Sequence, residues 1–153
     1  MPRIAEEAFG VLTVFAQTSD AQMNLDAVRL QAKRFFQTDL ELRREGDLPS
    51  LCAVVSAPTG EKGTRRCAGR PVREEDLRAA EQADLRAGYT GLSELAKRCK
   101  YVWRVVREEI DDRPALLFAA ILGSVVLGPI LSADEDELFG IKTARLKLAR
   151  PRS

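Results

Sequence analysis

Histidine is absent from the chain. That removes the commonest general base, the commonest zinc ligand and the side chain that titrates nearest neutral pH. Cysteine is scarce, and Cys52, Cys67 and Cys99 stand far apart with no CxxC pair to seed a metal site. They read as reduced, mostly structural thiols in a cytoplasmic protein, and neither metal nor cofactor is implied. Cys67 has a cation beside it, Arg66, that would favour a thiolate. A dominant sign of charge is also missing. The net charge is +1 although 31% of residues are charged, so attraction to nucleic acid through bulk charge is not implied and only local patches remain. The opening MPRIAEEAFG carries acids where an export signal would carry a basic stretch and an apolar core.

Phosphate-loop and calcium-loop patterns fail on inspection. GEKGT lacks the lysine after the second glycine that a phosphate loop requires. The acids of SADEDELFG lack the glycine and distal glutamate of a calcium loop, which leaves a capping cluster. With no histidine, a thiol nucleophile would depend on Glu or Lys as its base. These features point away from an enzyme.

What is present is one long uncharged run, Ala115 to Leu131, ALLFAAILGSVVLGPIL. As a helix it would measure about 26 Å, short of a hydrocarbon slab of about 30 Å. Acids dominate both flanks (Glu108, Glu109, Asp111, Asp112, then Asp134 to Glu137), rather than the Lys/Arg clusters of a membrane span. A buried core helix of about 112–131 is the reading, ahead of a membrane segment or two strands turning near Gly123. Asp111 or Asp112 caps it and Pro114 occupies its first turn. Its small residues Ala120, Ser124 and Gly128 recur every four positions. They would let a second helix approach closely, in this chain or in another copy, and so mark a candidate self-association face.

Around that helix the pattern predicts a mainly α, single compact helical domain over 1–149, with a short basic tail at 150–153. Ile4, Ala8, Val11, Leu12 and Phe15 share one helical face, although the run from Gly10 to Phe15 also fits a strand. TSDAQMN signals a turn and cap before a helix through Leu25, Val28, Ala32 and Phe35 to Thr38. LELRREGD reads as a polar connection. REEDLRAAEQADLRA reads as a solvated helix with acids first and Glu74 four residues before Arg78. Two further segments are ambiguous. A small β element from 51–56 and 101–106 is the alternative to helix, because CAVV and YVWRVV are rich in strand-forming residues.

Two basic segments stand out. The loop 57–71, rich in Gly, Pro and Thr, carries Lys62, Arg65, Arg66 and Arg70. From Lys142 onward Arg145, Lys147, Arg150 and Arg152 occur without an acid. These cations are the candidate partner- or anion-binding residues. The functional expectation is a non-enzymatic protein-protein interaction module, a small adaptor or a subunit of a larger bacterial-type cytoplasmic assembly. A homo-oligomer is allowed by the small-residue face. Salt-dependent association with nucleic acid or another anion through 62–70 and the C-terminus is the alternative. It lacks the interleaved aromatics that stack on bases.

Overall fold

A computed structural model describes residues 8–17, 24–46 and 49–150. In chain order the elements are β1 (Val11–Ala16), α1 (Leu25–Phe36), β2 (Asp39–Arg44), β3 (Ser50–Ser56), β4 (Lys62–Pro71), α2 (Glu74–Arg86), α3 (Leu92–Lys97), β5 (Tyr101–Val106), α4 (Arg113–Val126), β6 (Ile130–Leu131), β7 (Leu138–Phe139) and α5 (Ile141–Ala149). The strands form one seven-stranded sheet in the order β2-β3-β4-β5-β1-β6-β7, with every adjacent pair antiparallel. The mainly α expectation is therefore overturned. The strands suspected at 51–56 and 101–106 belong to an extensive sheet, and two further strands lie where a helix and a polar connection were expected.

The physical reasons are local. β1 lies between β5 and β6 and is buried on both faces from Leu12 to Ala16. A strand covered on both sides shows a continuous apolar run rather than alternation, which a helical template also accepts. Ile4, Glu6 and Glu7 of the expected first helix lie outside the described residues, as do Thr18 to Met23 of the capping segment. From Asp39 to Arg43 the side chains of β2 alternate: Leu40 and Leu42 face the core and Asp39, Glu41 and Arg43 face solvent.

The helix of the apolar run is shorter than 112–131. Asp112 caps α4 by accepting the Ala115 amide at 2.9 Å, and the helix ends where Leu127 turns left-handed (φ 59°). Gly128 then passes so close to Phe15 that a Cβ would sit 1.8 Å from its carbonyl oxygen. The chain continues as β6 beside β1, with the Phe15 amide donating to Pro129 O at 3.0 Å. The run is thus a helix and a strand on two sides of one turn. Among the described residues no helix is long and apolar enough to cross a membrane.

The two faces of the sheet are covered unequally. One face, formed by Leu12, Val14, Leu51, Val55, Trp103 and their row neighbours, packs on the layer of α1, α4 and α5. On the other face, Ala80, Ala83 and Ala96 of α2 and α3 pack against Phe15, Val102, Leu131 and Leu138. This second layer covers only the β5-β1-β6-β7 half. The α2–α3 corner is held by Asp84, which is buried and accepts from Thr90 N and Oγ1 (both 2.6 Å), Gly91 N (3.2 Å), and Ser93 N (3.0 Å) and Oγ (2.7 Å).

Candidate functional site

Residues 57–71, expected as a basic loop, are a turn followed by β4. This changes what its cations do. Successive side chains of a strand point to opposite faces, so Arg65 and Arg66 diverge. Arg65 points into the core, where Nε contacts both Asp112 oxygens at 3.0 and 2.8 Å. Its Nη2 lies 3.6 Å from Glu109. Arg66 points outward and meets Glu45 at 3.2 Å. Arg70 forms a two-pronged pair with Asp76 at the start of α2, at 2.7 and 3.0 Å. Burial opposes ionisation of Asp76, but the Arg70 guanidinium and the Arg73 amide outweigh it and hold the carboxyl below its ordinary range. Lys62 is exposed at the start of β4.

Cys67 is buried on the core face rather than lying in an exposed loop. Arg66 is on the opposite side of the strand, and burial pushes the Cys67 thiol up, so the expected neighbour effect on its thiolate is absent.

The C-terminal cations are also dispersed. Arg145 of α5 donates to Phe35 O and lies 4.1 Å over the Phe36 ring. Lys147 pairs with Glu137 at 2.7 Å and lies near the Phe139 ring. The Arg150 carbonyl accepts from Arg113, while Arg152 lies outside the described residues. Of the small stripe, Ala120 and Gly128 are buried and Ser124 is half-buried with its hydroxyl on Ile121 O at 2.7 Å. Gly128 meets β1, and nearby Gly123 leaves space for Ile141 of α5. The close approach that these residues permit is made within one chain.

What the strands do bring together is a surface that the sequence pattern concealed. On the half of the sheet that α2 and α3 leave uncovered, the cross-strand register places Arg43, Cys52 and Arg66 in one row and Glu41, Val54 and Thr64 in the next. Lys62 lies in a third row and Arg104 of β5 borders the patch beside Ala68. Arg43 and Arg66 both reach Glu45, at 3.3 and 3.2 Å, and so span the row that holds Cys52, which is buried. Asp39 is neutralised from the helix side by Lys33 at 3.6 Å. Cations therefore outnumber unpaired acids on this face. At the sheet edge, Arg29 of α1 donates to Leu42 O at 2.9 Å, which occupies an edge carbonyl that another strand would need.

A second feature is a cleft of about 420 Å³ at one end of the sheet, where β5 and β6 leave, α4 begins and α5 ends. Arg107, Arg113, Lys147 and Arg150 contribute to its walls with Asp111, Asp112, Asp134 and Glu137. Among the described residues no group of three or more cysteines or acids is placed to hold a metal ion. No protein-family model, curated protein or solved structure matches the chain.

Proposed function

We propose that the chain is a non-enzymatic protein-protein interaction module, an adaptor or assembly subunit, that docks an acidic protein surface on the uncovered β2-β3-β4 half of its sheet. The observation that carries this reading is the unequal covering of the two faces. Among the described residues no layer of the chain lies above the three-stranded surface that carries Arg43, Lys62 and Arg66. Val54, Thr64 and Ala68 between the cations provide a flat floor of small and branched side chains. Electrostatic complementarity then sets orientation and encounter rate more than final affinity. A nucleic acid would meet the same cations, but the rows contain no aromatic side chain for a base to stack on.

The test is a binding titration with a glutamate-rich peptide, a neutral peptide of equal length and a single-stranded oligonucleotide of equal charge. The acidic peptide should bind, weaken as salt is raised, and lose about tenfold in affinity in Arg43→Glu/Arg66→Glu. Preferential binding of the oligonucleotide, or an undiminished peptide affinity in the double variant, contradicts the proposal. Both positions are exposed, but each new carboxylate faces Glu45, so a loss of about 1 kcal/mol in stability is expected with the fold retained.

A further inference from the structure

We propose that the cleft at the end of the sheet binds a small organic anion, a carboxylate or phosphate group on an apolar body. Its volume of about 420 Å³ lies within the range of small-molecule sites. The floor is apolar, with Leu12, Leu116, Ala133 and Phe139 lining it.

The charges decide the class of ligand. Four acids line the walls: Asp111 is exposed, Asp112 is consumed by Arg65 and Glu137 by Lys147 at 2.7 Å. Asp134 turns back on its own loop, accepting Ser132 Oγ at 2.7 Å and Asp136 N at 3.1 Å. The arginines are satisfied differently. Arg107 donates to the carbonyls of Phe9 and Ile110, both at 2.7 Å. Arg113 donates to the carbonyls of Leu148 and Arg150. A carbonyl orients a guanidinium without cancelling its charge, so Arg107 and Arg113 keep theirs at the cleft, where the Ser132 hydroxyl and also Arg107 lower the Asp134 carboxyl. Among the described residues the buried Arg113 Nε has no acceptor, an incomplete hydrogen-bond set of the kind that a bound anion completes. Arg150 adds a third cation at the exposed mouth.

The experiment titrates the full chain with phenyl phosphate and with benzoate, reading amide shifts and a dissociation constant. Benzyl alcohol and inorganic phosphate serve as probes lacking the charge and the apolar body. Either aromatic anion should bind below about 1 mM, with the alcohol and inorganic phosphate each about tenfold weaker. Arg150→Glu should weaken the anion about tenfold, and Leu116→Trp should abolish binding by filling the cleft while the thermal midpoint is retained. Arg34→Glu on the outer side of α1 should change nothing. No binding by either anion, equal binding of benzyl alcohol or inorganic phosphate, or shifts remote from the cleft overturns the proposal. No acidic peptide is used, so this outcome is independent of the docking face.

Discussion

Arg65 and Asp112 form a buried two-point contact, Nε to the two carboxylate oxygens at 3.0 and 2.8 Å, that ties β4 to the first turn of α4. Asp112 also accepts the amides of Glu108 (2.6 Å) and Ala115 (2.9 Å), so one carboxylate joins a strand, a loop and a helix cap. Removing a single partner leaves a charge buried without its counterion. Arg65→Met and Asp112→Asn should each destabilise by about 3–5 kcal/mol. The double variant should cost less than the sum of the two, because neither charge is then stranded. Urea unfolding of the three variants checks this, and strict additivity would show that the two residues act separately.

Asp84 makes the α2–α3 corner sensitive to acid. Burial by itself raises a carboxyl, but the bonds from Thr90 and Ser93 outweigh it, and Asp84 lies well below the ordinary carboxylate range. A folded-state value below the unfolded one, about 3.9, means that the stabilisation is present above about pH 4 and is lost as the pH falls through the folded value. Asp84→Asn should cost about 2–4 kcal/mol at neutral pH. It should also flatten the fall in stability between about pH 5 and pH 2. Denaturant midpoints for both proteins across that range give the comparison, and parallel curves would exclude Asp84 as the source.

Gly123 and Gly128 occupy the same apolar run and should tolerate a methyl group very differently. At Gly128 a Cβ meets backbone, the Phe15 carbonyl oxygen at 1.8 Å. At Gly123 it meets the flexible end of Ile141 at 2.9 Å. Gly128→Ala should separate β6 from β1 and cost more than about 3 kcal/mol, whereas Gly123→Ala should cost under about 1.5 kcal/mol. Thermal midpoints of the two variants decide it.

The thiols should be inert while the chain is folded. Cys52, Cys67 and Cys99 are all buried. Burial pushes Cys99 up to about 11 and Cys67 in the same direction. Iodoacetamide at mildly alkaline pH should label none of them in the native protein and all of them in denaturant. Fast native labelling of Cys67 would mean that β4 opens readily.

Helices with written ends were legible in the sequence. Asn24 caps α1 by accepting the Ala27 amide at 3.1 Å, Glu74 and Arg78 pair at 3.0 Å in α2, and Asp112 with Pro114 opens α4. β4 was not legible, and its inward positions explain why. They are Gly63, Arg65, Cys67 and Gly69, with no large apolar residue among them. Gly63 leaves room for the Arg65 guanidinium, and Gly69 leaves room for the rings of Tyr101 and Trp103. The space that apolar side chains usually fill is taken by residues from neighbouring positions, so the period-2 signal vanishes and a strand reads as a basic loop. The docking surface was illegible for the same reason. Arg43 and Arg66 are distant in sequence and become row neighbours only through the register with β3. The cleft cations Arg107 and Arg113 stood outside both basic segments and had no local signature.

The most direct measurement is an amide-shift map of the chain, titrated with the glutamate-rich peptide and repeated with Arg43→Glu/Arg66→Glu. Shifts should be confined to the rows of Arg43, Val54, Thr64, Arg66 and Arg104 and should disappear in the double variant while the fold is retained. Shifts centred on α2 and α3 or on the α1–α4–α5 layer, or shifts that persist in the double variant, would contradict it.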